Sequence, residues 1–268
     1  MRLQTIIEHI RDKKSFLCVG LDSDLNRLPS PFQKDLKSLV DFNKAIIEAT
    51  ADFCVAYKIN TAFYEKFGSR GWKALEKTRR ALPDSHFLIA DAKRGDIGNT
   101  ATQYAEAFFD HLNFDAVTVA PYMGRDSIDP FLGHKGKWAI VLGITSNPGS
   151  ADFQKIISAD GKRVFEKVME KAIHWGAADQ MMFVCGATQS EELSIARNIA
   201  PQHFFLVPGI GHQGGNLQEV ANRCMNDNIG IMVNSSRGII FASSGQDFQE
   251  AAAGKAAELA MQMAALMK

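Results

Sequence analysis

Eight short apolar, largely β-branched runs recur along this chain, at 16–21, 54–59, 87–90, 116–120, 139–144, 181–185, 204–207 and 230–233, with segments of helical spacing between them. Leu36, Leu39, Val40, Phe42, Ile46 and Ile47 form one such helical pattern, and Val164, Phe165, Val168, Met169 and Ala172 another. The strand-like runs are apolar throughout and do not alternate, as expected of parallel strands covered on both faces. Eight βα units in succession predict a (β/α)8 TIM barrel, with an open doubly wound sheet as the second possibility. Leu3, Ile6, Ile7 and Ile10 add the apolar face of an extra N-terminal helix, and an Ala-rich last helix spans 246–267. A length of 268 residues without a linker or low-complexity tract predicts a single domain over 1–268.

Thirty basic and thirty acidic residues give a formal net charge of zero. No global field is therefore available to recruit nucleic acid or an anionic membrane, and an anionic substrate has to be held locally. Cys18, Cys54, Cys185 and Cys224 show no metal-type spacing, and the first three lie in apolar strand-like runs, which fits buried thiols in a reducing cytoplasm. The N-terminal segment carries Glu8 and lacks a continuous apolar core, and no stretch reaches the length of a membrane span.

In a barrel of this type the chemistry sits where strands end and βα loops begin. There the third apolar run enters Asp91-Ala-Lys93-Arg94-Gly95-Asp96-Ile97-Gly98. In an extended strand Asp91 and Lys93 project to one face, and Asp96 follows in a turn between two glycines. Lys58 closes the neighbouring second strand and completes a Lys-Asp-Lys-Asp array that keeps Lys93 ionised. Other strand ends carry Asp22, Ser146 and the run Pro208-Gly209-Ile-Gly211-His212-Gln213-Gly-Gly, and the eighth ends in Asn-Ser-Ser-Arg237. Close backbone approach at the glycines, with Arg237 as a planar fork of donors, predicts a phosphate site after strands seven and eight.

The string Asp91-x-Lys93-Arg94-Gly95-Asp96-Ile97 resembles the signature of the orotidine 5'-phosphate decarboxylase family, in its bacterial subgroup with the longer chain. The resemblance extends through strand-end motifs over nearly the whole chain. It implies that Asp91, Lys93 and Asp96, with Lys58, are catalytic, and that Asp22 and Lys58 hold ribose hydroxyls. It further implies that Ser146 bonds the pyrimidine, that Pro208, Gly209, Gly211, Gln213 and Arg237 surround the phosphate, and that Asp96 and Thr100 reach across a homodimer interface into shared sites. The implied activity is cofactor-free decarboxylation of a small-molecule nucleotide, in the cytoplasm, with no metal, nucleic acid or membrane. Two positions depart from the pattern: His212 replaces a small residue, and Ile59 stands where proline is expected after Lys58. A magnesium-dependent sugar-phosphate lyase on a related barrel is the alternative. It needs a further carboxylate for the metal, which the ends of the first four strands do not offer.

Overall fold

The computed structural model of the protein describes residues 1–186, 190–209 and 216–267. Its strands are β1 (Leu17–Gly20), β2 (Ala56–Asn60), β3 (Phe87–Arg94), β4 (Ala116–Val119), β5 (Trp138–Ile144), β6 (Met181–Cys185), β7 (Phe204–Pro208) and β8 (Ile231–Ser235). They close into a barrel in the order β1 to β8, and helices alternate with them. The extra N-terminal helix is present at Leu3–Lys13 and buries Ile6, Ile7 and Ile10. The last helix covers Phe248–Leu266. No helix among the described residues is long and apolar enough to cross a membrane.

All eight strands coincide with the apolar runs of the sequence; β2 begins two residues later than its run, and the largest difference lies at the carboxyl end of β3. β3 continues four residues past Ala90, through Arg94, and β8 continues through Asn234 and Ser235. Polar side chains hide strand from a pattern built on apolar residues.

The chain divides into two compact units, Gln4–Ala92 with 234 onward, and Met1–Leu3 with Lys93–Val233. In the first, β1 and β2 run parallel with Cys18 opposite Ala56, and β2 and β3 with Asn60 opposite Asp91. Phe42 of the helix Leu36–Thr50 stacks on Phe241 at 5.7 Å, and Phe32 meets Phe248 edge-on at 5.3 Å, which locks the outer helices together. Below the strands, Lys13 Nζ donates to the carbonyls of Ala51 and Cys54 and lies 3.2 Å from His86 Nε2. Burial, then the Lys13 charge, lowers the His86 pKa to about 4.

In the second unit β4 to β7 pair in parallel. Arg197, 9% exposed, ends the helix Ser190–Ile199. Its guanidinium donates to the carbonyls of Cys224, Ala200 and His203 at 2.8 Å, of Gly230 at 2.9 Å and of Pro201 at 3.3 Å, and lies 3.8 Å from the Phe205 ring centroid. Burial lowers its pKa, yet a guanidinium remains charged at any physiological pH. One side chain thus collects orphan carbonyls from two helix ends and from the residues that precede β7 and β8.

All four cysteines are free and buried. Burial raises the thiol pKa of Cys224 to about 11 and of Cys54 to about 12, and pushes Cys18 and Cys185 up as well.

Two outcomes are expected. Arg197→Lys, which keeps the charge but not the fork, should cost about 3 kcal/mol in denaturant unfolding, the scale for breaking a buried charged network. A loss below about 1 kcal/mol would show that the carbonyls are held by something else. For His86, a folded pKa below the ordinary 6.5 of an imidazole means that the unfolded chain binds the extra proton, so stability should fall as pH drops from about 6.5 towards 4. Thermal midpoints of His86→Gln across that window should decline less steeply than those of the parent; parallel curves would remove His86 as the cause.

Candidate active site

Lys58 and Asp91 are brought together by strand register. Lys58 lies opposite Ile89, two residues before Asp91. Two residues of strand rise, about 6.6 Å, is the reach of an extended lysine side chain. Lys58 is 4% exposed, and its ammonium sits 3.0 Å from Asp91 Oδ2 and 3.4 Å from Asp22 Oδ1. Burial alone would lower the Lys58 pKa; the two carboxylates outweigh it and the net displacement is upward. Lys58 is therefore a fixed cation at neutral pH, set between the carboxyl groups of Asp91 and Asp22. The backbone supports the same corner, since Leu21 N–H donates to the Lys58 carbonyl at 2.8 Å and Thr61 N–H to that of Asp91 at 3.3 Å.

The ends of β1 and β8 meet closely beside this array. A Cβ added to Gly20 would come within 2.8 Å of Ser236 Cβ and 3.0 Å of Asn234 Oδ1, so the approach requires glycine. Ser236 Oγ seals it by donating to the Gly20 carbonyl at 2.9 Å. Arg237, exposed, opens the short helix that follows β8.

In the other unit Lys93 is exposed and departs from the expected geometry. Its φ is +47°, in the left-handed region, so the two-residue alternation that places Asp91 and Lys93 on one face does not apply there. The Lys93 N–H donates to Thr118 Oγ1 at 2.9 Å, and Thr118 is 1% exposed on β4. Thr118 escaped the sequence reading because threonine is an ordinary strand former. A lone hydroxyl within Ala-Val-Thr-Val was its only signal.

Beyond Lys93, the Arg94 guanidinium lies over the rings of Tyr104 and Phe108 at 5.2 and 5.3 Å. Asp96 is half-buried and its Oδ1 accepts from Ile97 N–H at 2.8 Å. Thr100 is exposed on the helix Gly98–Glu106. Ser146 is half-buried after β5, and a Cβ on Gly186 would reach 2.7 Å from its nitrogen. Gln154 braces this loop, with Oε1 accepting from Thr145 N–H at 2.8 Å and Nε2 donating to Thr145 Oγ1 at 2.9 Å. Pro208 ends β7, and Gly209 has φ +101°, which a side chain would strain. Gly211 and Gln213 lie outside the described residues. Among the described residues, no group of three or more His, Cys, Asp or Glu is placed to hold a metal ion.

A closed parallel barrel with buried, paired charges at the carboxyl ends of its strands has the layout of a TIM-barrel enzyme. The chain belongs to the orotidine 5'-phosphate decarboxylase / HUMPS family, whose model matches residues 15–252. It is 52% identical to the orotidine 5'-phosphate decarboxylase of Bacteroides fragilis, over 100% of this chain and 99% of that one. The structure resembles the OMP decarboxylase of Leishmania donovani with a TM-score of 0.86 and 37% identity, covering 99% of this chain and 98% of that one. It also resembles the UMP synthase of the same organism, with a TM-score of 0.88 and 38% identity; there it covers 98% of this chain but spans only 55% of the synthase.

Thr118→Val removes the hydroxyl acceptor of the Lys93 N–H with little change of shape, and should cost about 1–2 kcal/mol in chemical unfolding. Thr118→Ser keeps the acceptor and should recover most of that loss; equal costs for both variants would assign the effect to packing.

Proposed function

We propose that the chain decarboxylates orotidine 5'-phosphate to uridine 5'-phosphate, without metal or organic cofactor, as a step of cytoplasmic de novo pyrimidine synthesis. The observation that most directly supports this reading is the buried Lys58 bonded to Asp91, two residues before Lys93 on the same strand, in a chain of this family. Loss of carbon dioxide from C6 of the pyrimidine leaves a carbanion with no electron sink. The site has to stabilise that charge directly and deliver a proton.

Lys93 supplies both, as an ammonium beside the developing charge and as the acid that protonates C6. Asp91, held by Lys58, faces the substrate carboxylate and loses its repulsion as carbon dioxide departs. Asp96 completes the array. Asp22 and Lys58 hold the ribose hydroxyls, Ser146 the pyrimidine, and Arg237 with Gln213 and the backbone from Pro208 through Gly209 to Gly211 the phosphate. Binding energy from that remote phosphate holds the reacting ring in place. The protein works as a homodimer in which Asp96 and Thr100 enter the partner's site. In support, the unit that carries them exposes Ile97 at 48%, Met123 at 49% and Tyr122 at 91%, large side chains of the kind a subunit interface covers.

The direct test is loss of orotate-type ultraviolet absorbance on mixing with orotidine 5'-phosphate; an unchanged spectrum would end this reading. Lys93→Ala should lower turnover by about 10⁴-fold, the upper range for a general acid, with circular dichroism unchanged. In deuterated water the parent should place one deuterium at C6 of the product. A variant within tenfold of the parent would take Lys93 out of the mechanism.

Asp96→Ala and Lys93→Ala, each inactive alone, should recover up to about a quarter of parental activity when mixed, because half the dimers are then mixed and each carries one intact site. Absence of recovery after proven subunit exchange would place both residues in one subunit's site.

A further inference from the structure

Within the unit Gln4–Ala92, a cavity of about 1020 Å³ opens between the helices Leu36–Thr50 and Gly68–Ala81, apart from the groups assigned to the decarboxylation. Leu36, Val40, Phe67 and Ala74 give it apolar lining. Lys34, Lys37 and Lys44 line one side, and Arg70, Lys73, Lys77 and Arg80, spaced i, i+3, i+7 and i+10 along one helix face, line the other. All seven are exposed. Only two acidic residues share the lining, and both are committed: Asp35 accepts from Ser38 N–H at 2.7 Å as a helix cap, and Asp41 lies 3.6 Å from Lys44. Arg80 lies 3.6 Å from Glu76. Among the described residues, Lys34, Lys37, Arg70, Lys73 and Lys77 make no ion pair within 4.0 Å.

In a chain of zero net charge, this concentration of cations is local. Like charges at helical i, i+3 and i+4 spacing weaken a helix by a few tenths of a kcal/mol per pair, a cost that a bound anion reverses. Five unpaired cations exceed what one phosphate monoester at −1.5 to −2 neutralises. They match a chain of linked phosphates. The volume is that of a small-molecule pocket, roughly 300–1,000 Å³, and the apolar lining suits an organic group attached to the chain. We propose that this cavity binds the phosphate chain of a nucleoside polyphosphate. Inorganic polyphosphate shares that chemistry without the organic group.

Calorimetric titration of the full chain with sodium tripolyphosphate and with uridine 5'-triphosphate separates the two sources. Both should bind, the nucleotide at least tenfold more tightly because only it covers the apolar lining. Affinity should fall at least tenfold between 50 and 200 mM salt. A Lys73→Ala/Lys77→Ala double variant should weaken both ligands by at least tenfold, and Arg70→Glu should do the same should the double variant fold poorly. Arg237→Ala should leave them unchanged, so failure of the proposed phosphate site and failure of this one are told apart. Tripolyphosphate binding as tightly as the nucleotide would replace the nucleoside polyphosphate by inorganic polyphosphate and overturn the proposal. Absence of heat, or loss in Arg237→Ala but not in the cavity variants, would overturn it too, as would tighter binding of a single-stranded RNA 12-mer.

Discussion

A lysine ammonium almost wholly removed from water is held in this protein by two carboxylates, and much of the barrel's geometry serves that arrangement. Lys58 needs Asp91 at 3.0 Å and Asp22 at 3.4 Å at once. An isolated buried charge is expensive to desolvate, and removing one partner of a buried group usually costs several kcal/mol. The contact depends on parallel register, because it is the two-residue offset of Lys58 below Asp91 that lets a long side chain meet a short one. It also depends on the end of β1 staying close to its neighbours, which the bare Cα of Gly20 permits against Ser236 and Asn234.

The amino ends of the strands solve a different problem with similar residues. Arg197 and Lys13 are both cations directed at backbone carbonyls, of the residues before β7 and β8 in one case and of the loop before β2 in the other. Neither group needs a carboxylate, because the carbonyl dipoles of helix and loop ends supply the negative potential. In a barrel enzyme, groups at this end serve stability, whereas those at the carboxyl ends are free to serve chemistry. The carboxylates of Asp22 and Asp91 appear at the second kind of position.

Periodicity made the architecture legible: eight runs of apolar residues became eight strands, and Ile6, Ile7 and Ile10 became the buried face of the first helix. It failed where function begins. β3 was read as stopping at Ala90 because Asp91, Lys93 and Arg94 are charged, yet the backbone remains a strand. The pairing of Lys58 with Asp91 was legible because neighbouring parallel strands bring their ends together, and the distances agree. The left-handed backbone at Lys93 was not, since nothing in a lysine codes for positive φ, and the hydrogen bond to Thr118 that accompanies it is a tertiary contact. Gln154 and Arg197 were equally silent, for each acts on backbone groups that carry no residue-type signature.

The conformation of Lys93 sets stability against the proposed role of its ammonium at a single codon. A side chain in the left-handed region costs about 1 kcal/mol or more relative to glycine, which occupies it freely. Directed evolution of this chain for heat tolerance, scored on expression or melting alone, would be drawn to glycine or asparagine at position 93 and would discard the ammonium in the same step. Any laboratory lineage selected for robustness therefore has to be scored for product at every round.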